Sequence, residues 1–372
     1  MLTGGITKHA TTLADGRELI YYDDAATTLP ADRKADERKL DPRPETATMR
    51  QDVLTGEWIS IASARQNRVF LPPADQDPLA PATPENPSEI PDRYDVAVFE
   101  NRSPSFGPAL DGPGAPNELA DLTSIGLGRQ YTAIGRTEVV CFSPDTSGSF
   151  GTQTPQRART VIEAWADRTA ALSALPGIQQ VFPFENRGEA IGVTLHHPHG
   201  QIYAYPYVTP RTTRLLESIA RVGPDLFARI LDRERDSERV VVAGEHWTAY
   251  VPFAARWPIE VHMLPHRHIP DFAATNEAER DELSTVYLRL LRGIDALYDT
   301  PTPYIAAWHQ APVNVGRDDV RLMLQVTSPR RAENKLKYLA GSETAMGAFI
   351  ADVPPETAAN KLKDALSRVE EF

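Results

Sequence analysis

The apolar and polar positions fall into two stretches that repeat the same order of elements. From Glu138 the run Glu138-Val139-Val140-Cys141-Phe142 has the length and apolar density of a buried strand. Thr154 and Pro155 then give an N-cap and first-turn signal, and apolar residues recur at helical spacing through Val161, Ile162, Trp165 and Leu172. Strand-like runs follow at 178–184 and 201–208. The second stretch offers strands in HWTAYVPF (246–253) and VHMLP (261–265), then a helix from about Asn276 with apolar residues at Leu283, Val286, Tyr287, Leu290, Leu291, Ile294 and Leu297. YIAAWH (304–309) and RLMLQVTS (321–328) close it as strands. Like order with a like helix predicts a duplicated α+β unit whose two sheets can join, and two unrelated α+β segments remain the alternative.

Outside these stretches the pattern weakens. Residues 1–49 are polar and charged with no clear apolar period, and they read as an N-terminal arm. Between Pro72 and Pro116 lie eleven of the chain's 32 prolines, which excludes long helices and leaves one short strand around Val96–Phe99. The division that results is an arm at 1–49, a first half at 50–210 and a second half at 211–372.

Composition narrows the class. With 372 residues, 41% of them hydrophobic and 24% charged, the chain has ordinary globular character, and no run approaches the ~20 apolar residues that span a bilayer. The first residues carry neither a basic nor an apolar signal region, so the expected address is the cytoplasm. A formal charge of -12 gives no electrostatic reason to bind nucleic acid. The single cysteine, Cys141, excludes an internal disulfide and any zinc site built on paired thiolates.

The chemical signal is Thr194-Leu195-His196-His197-Pro198-His199-Gly200-Gln201, with three of the nine histidines. In extended backbone, His197, His199 and Gln201 share one face and His196 takes the other. A neutral imidazole can attack phosphorus, and an amide can donate to a nonbridging oxygen. Glutamine at 201 has no titratable proton to offer a hydrolytic step, so transfer is favoured over hydrolysis. Two other readings stay open for the pair His197 and His199: zinc ligands, or packed and hydrogen-bonded core histidines.

The block VFPFENRGEAIGVTLHHPHGQIYAYP (181–206) resembles the signature of the galactose-1-phosphate uridylyltransferase family, a branch of the histidine triad superfamily, and the resemblance extends over most of the chain. It implies an α+β fold of duplicated histidine-triad-like units with antiparallel sheets flanked by helices. It implies His199 as nucleophile, with His197 beside it and Gln201 on the phosphoryl group, and its proton-bearing far nitrogen held by the His197 carbonyl. Leu54–Trp58 and Ala64–Arg68 resemble the family's N-terminal motif, whose arginines, here Arg65 and Arg68, approach the nucleotide; taken alone, an arginine pair at i and i+3 can clamp a diphosphate or simply be solvated. Asn101 and Arg102 match a nucleoside-contacting segment. Asn186 and Gly192-Val193-Thr194 match phosphate and ribose positions, and Lys337, Tyr338 and Glu343 match a late block lining the sugar and nucleotide site.

The resemblance also implies UDP-hexose and hexose 1-phosphate as partners, a homodimer, and exchange of UMP between UDP-glucose and galactose 1-phosphate through a uridylyl-histidine. Another sugar 1-phosphate or nucleotide, handled by a divergent transferase or phosphorylase, is the first rival; a noncatalytic nucleotide-binding relative is the second. The sequence departs from the family at its metals. The zinc positions read Asp77, Ala80, Thr146 and His197, and the second metal's read near Leu215, His309, Arg321 and Met323, so no metal and no cofactor is expected. A hydrogen bond from Thr146 or Asp77 to His197 is expected in the place of zinc. His262, His266 and His268 are expected to be structural, in a half that keeps the fold without a nucleophile.

Overall fold

A computed structural model describes residues 2–67, 71–108, 118–119 and 127–370. Among the described residues, eleven strands form one antiparallel sheet. In chain order they are β1 (Thr7–Thr12), β2 (Glu18–Asp23), β3 (Val96–Glu100), β4 (Arg136–Cys141), β5 (Gln180–Arg187), β6 (His199–Tyr205), β7 (Val240–Ala243), β8 (Trp247–Tyr250), β9 (Ile259–Pro265), β10 (Tyr304–His309) and β11 (Met323–Ser328). Across the sheet they run β1-β2-β3-β4-β6-β5-β10-β11-β9-β8-β7. A smaller sheet pairs Thr48–Gln51 with Trp58–Ile61 and Gln130–Thr132.

The two stretches seen in the sequence occupy the two sides of the β5–β10 seam. In each, two strands precede a nineteen-residue helix and two follow it: β3, β4, α1 (Pro155–Ser173), β5 and β6 on one side, β8, β9, α4 (Glu277–Asp295), β10 and β11 on the other. α2 (Pro210–Val222) and α3 (Leu226–Arg235) connect them. Both long helices start where their caps dictate. The Thr154 hydroxyl accepts from the Arg157 amide ahead of α1, and Asn276 with Glu279 forms a reciprocal capping box ahead of α4.

Both helices lie on one face of the sheet over a shared core. Trp165 of α1 stacks on Phe150 at 5.3 Å between centroids and lies 6.2 Å from Trp308 of β10, which meets Tyr287 of α4 at 5.4 Å. These rings are buried, so the halves cannot separate without exposing several large aromatic surfaces. The other face of β2, β3 and β4 carries a second apolar layer with Leu19, Tyr21, Phe99, Val139 and Cys141, covered by Leu79, Ile90 and Tyr94 from the proline-rich segment.

The reading of residues 1–49 as an arm is corrected in part. Residues 7–23 form a hairpin that extends the main sheet, with β2 paired to β3. Leu19 and Tyr21 enter one apolar layer while Ile20 and Tyr22 enter the other, so β2 is buried on both faces and shows no alternation for a sequence reading to detect.

One core carboxyl has a measurable consequence. Glu185 on β5 is 3% exposed, accepts from the Phe150 amide and the Tyr304 hydroxyl (both 2.9 Å), and is pushed by burial from an ordinary value near 4.5 to about 7. The folded state therefore holds a proton that the unfolded state releases, and stability is lost as pH rises from the ordinary value through about 7. Glu185→Gln should gain stability over the wild type progressively between about pH 5 and pH 8, reaching roughly 3 kcal/mol. Urea unfolding at several pH values measures this; a difference independent of pH would refute the assignment.

Candidate active site

β6 alternates in burial from its first residue. His199, Gln201 and Tyr203 point to the face opposite the helices, while Gly200, Ile202 and Ala204 are buried against the core. Gly200 has no alternative: a Cβ there would lie 2.8 Å from the Phe142 ring and 2.8 Å from the Phe184 carbonyl oxygen. His199 and Gln201 line a cleft of about 420 Å³ together with Thr194, Asn101 and Arg102. Its floor is a row across the sheet, Gln201 on β6, Val139 on β4 and Phe99 on β3, each paired with the next. The Gln201 amide makes no hydrogen bond among the described residues, and its Oε1 is buried. A buried amide without a partner inside a cleft is a group held for a ligand.

His199 is set by what lies behind it. Its Nδ1 donates to the His197 carbonyl oxygen at 2.7 Å, the expected contact, which leaves the ring's lone pair on Nε2. His197 is fixed in turn: its Nδ1 donates to Asp77 Oδ2 at 2.6 Å, and its Nε2 lies 2.9 Å from the Tyr94 hydroxyl. Burial holds the Tyr94 hydroxyl well above its ordinary value, so it stays protonated, and it also reaches the Leu79 and Ser143 carbonyls at 2.7 and 3.0 Å. The His197 side chain is fully buried. Burial likewise raises the Cys141 thiol, which makes it a packed and unreactive neighbour.

Residues 32–209 match the model of the galactose-1-phosphate uridyl transferase N-terminal domain, and residues 207–371 match that of the C-terminal domain. The chain belongs to the galactose-1-phosphate uridyl transferase family. It is 44% identical to a galactose-1-phosphate uridylyltransferase of Streptomyces lividans, over 96% of this chain and 97% of the relative. It is 32% identical to the protein of that name from Thermotoga maritima, over 85% and 98%. A solved uridylyltransferase structure superposes with a TM-score of 0.75 at 29% identity, covering 87% of this chain and all of that one.

The positions that the family resemblance singles out do not all converge. Thr194, His199, Gln201, Asn101 and Arg102 line the cleft. His197, expected on the reactive face, does not: the strand begins only at His199, after a bend at His197, and its ring turns into the loop carrying Asp77 and Tyr94. Arg65, in a short turn at Ser63–Asn67, has its Nη1 buried without a partner among the described residues and does not line the cleft; Arg68 falls outside the described residues. Asn186, Gly192 and Val193 also do not line it. Lys337, Tyr338 and Glu343 form a separate group, in which Lys337 Nζ donates to the Arg256 and Ile350 carbonyls and lies 3.6 Å from Glu343. Two charged lining residues escaped the sequence reading, Arg17 and Glu89. The tight turn Asp15-Gly16-Arg17 was the only local signal of the first.

The family's metal positions do not fit a metal here. Both nitrogens of His197 already have partners, and no group of three or more histidine, cysteine, aspartate or glutamate side chains among the described residues is arranged to hold an ion. Asp77, and not Thr146, makes the bond to His197. In the second half, burial lowers His309 to about 3, and its Nε2 donates to Gln325 Oε1 at 3.2 Å. Gln325 in turn donates to Glu260 at 2.7 Å, which His262 also meets at 3.2 Å. The ladder relates the halves directly: Phe184 pairs with Ala307, Gln201 with Phe184 and Gln325 with Ala307. Gln201 thus corresponds to Gln325 and His199 to Met323, so the second half has no nucleophile at the equivalent position.

Removing the acceptor behind His197 tests the chain of hydrogen bonds. Asp77→Ala leaves a buried ring N–H without a partner and should cost about 1–3 kcal/mol in urea unfolding, with Asp77→Asn costing less because it keeps an acceptor. In histidine-labelled protein, nitrogen NMR should find His199 protonated at Nδ1 in the wild type and mixed between tautomers in Asp77→Ala.

Proposed function

We propose that this protein is a UDP-glucose–hexose-1-phosphate uridylyltransferase, exchanging UMP between UDP-glucose and galactose 1-phosphate with His199 as nucleophile. The observation that carries the mechanism is the hydrogen bond from His199 Nδ1 to the His197 carbonyl, which puts the lone pair on Nε2. Nε2 attacks the α-phosphorus of UDP-glucose, the bond to the bridging oxygen breaks, and glucose 1-phosphate leaves. An oxygen of galactose 1-phosphate then attacks the same phosphorus, the P–N bond breaks, and UDP-galactose forms with a neutral imidazole restored. While uridylylated, the ring is cationic, and the His197 carbonyl stabilises that charge.

Gln201 donates to a nonbridging oxygen where charge concentrates at the transition state; such donors are commonly worth ~2.7–4 kcal/mol. The family resemblance puts Arg65 and Arg68 near the same phosphates. Gln201 carries no titratable proton with which to activate water, which supports transfer over hydrolysis. No metal takes part in this reading, because Asp77 and Tyr94 already hold the residue behind the nucleophile.

The working unit in this reading is a homodimer. Its support is an exposed apolar segment, with Tyr338, Met346 and Ile350 from 59 to 80% exposed, next to Lys337 and Glu343, which the resemblance assigns to a sugar site but which do not line this chain's own cleft. A reducing cytoplasm suits the single unpaired, buried Cys141.

Incubation with UDP-glucose alone, followed by intact-mass measurement, should show a UMP adduct on His199 that galactose 1-phosphate discharges as UDP-galactose. His199→Asn should form none and lose transfer altogether. Activity should also survive exhaustive chelation. A fully active His199→Asn, or an adduct elsewhere, would overturn the mechanism.

A further inference from the structure

The hairpin that precedes residue 32, where the family match begins, reaches the cleft through a single buried side chain. Arg17 is 0% exposed, and each of its three guanidinium nitrogens is hydrogen-bonded. Nε donates to both oxygens of Asp15 at 2.9 and 2.8 Å, Nη1 to the Glu100 carbonyl at 2.9 Å, and Nη2 to Glu89 Oε2 at 2.5 Å. It also lies 5.9 Å from the Phe99 ring centroid. Glu89 Oε2, which Arg38 Nη2 also approaches at 3.6 Å, is thereby clamped at the cleft wall, while Glu89 Oε1 makes no hydrogen bond among the described residues. Asn101, two residues beyond Phe99 on the same face, accepts from the Ser103 amide through Oδ1 at 3.0 Å, and this leaves Nδ2 as a donor with no partner among the described residues.

The register orders these groups along the cleft. Neighbouring strands are ~4.8 Å apart, so the row from β6 through β4 to β3 extends about 10 Å, with β2 and Arg17 one spacing further. A nucleotide bonded through phosphorus to His199 therefore lays its sugar over Val139 and its ring over Phe99, which brings the far edge of the ring to Glu89 and Asn101.

Resting on the uridylyltransferase reading, we propose that Glu89, held by Arg17 of the N-terminal hairpin, reads the nucleobase by accepting from its imide N–H while Asn101 Nδ2 donates to the adjacent carbonyl. An acceptor beside a donor complements the uracil edge. Cytosine offers the reverse, a ring lone pair against the carboxylate and an amino group against the amide, so the same pair rejects it. The hairpin is a specificity element, and Arg17 is a positioning residue that acts through Glu89.

The test compares nucleotides on the intact protein. UMP and N3-methyl-UMP are titrated calorimetrically into the wild type and Glu89→Gln, and kcat/KM is measured with UDP-glucose and CDP-glucose as donors. The wild type should bind UMP at least roughly tenfold more tightly than the methylated nucleotide, as expected for one lost buried hydrogen bond. Glu89→Gln, which offers both a donor and an acceptor, should erase most of that preference and lower the UDP-glucose to CDP-glucose ratio about tenfold or more. Equal wild-type affinity for UMP and N3-methyl-UMP overturns the proposal, and needs no variant to fold. An unchanged donor ratio in a folded Glu89→Gln overturns it as well. Absence of any uridylyl adduct would instead defeat the transferase reading, with the UMP comparison still deciding the role of Glu89.

Discussion

The site depends on a short series of hydrogen bonds that begins well behind the reacting atom. Asp77 holds the ring of His197, the position of that residue fixes its own carbonyl, and the carbonyl holds the proton on His199 Nδ1. Each link is buried or partly buried, where an unmade hydrogen bond is costly and a made one is rigid. The consequence is a His199 ring whose tautomer is determined by packing and not by solvent. At the position where the family resemblance implies a metal, a carboxylate and a phenol meet the two ring nitrogens of His197.

The duplicated architecture relates the two halves position by position. The sheet runs unbroken across the seam between β5 and β10, and the helices of both halves pack their aromatic residues into one core. Related positions differ: His199 and Gln201 open into the cleft, while Met323 and Gln325 belong to a half in which Gln325 bridges His309 and Glu260, and His262 also meets Glu260. The Gln201 amide, by contrast, has no partner among the described residues.

The hairpin at residues 7–23 shows how the open sheet recruits substrate-facing groups from distant sequence. β2 continues the ladder beyond β3, and the buried guanidinium of Arg17 links the turn, the proline-rich wall at Glu89 and the end of β3. Because its three bonded nitrogens are all engaged by protein, Arg17 orders the wall and leaves direct contact to the carboxylate it holds.

The sequence by itself determined the α+β class, the repeated strand and helix order, and the histidine block with its glutamine. These rest on local information: caps, apolar periods, and residue types within a few positions of one another. Only the tertiary structure decided that β2 is an interior strand of the main sheet, that His197 lies behind His199, and that Glu89 faces the same cleft as His199. Those facts depend on pairing between segments far apart in the chain. A strand buried on both faces lacks the alternation that marks a half-buried one, and a bend at His197 breaks the alternation that extended backbone would impose. Tyr94 carried no local mark at all, since its partner is 103 residues away and meets it only when the proline-rich segment folds over the sheet.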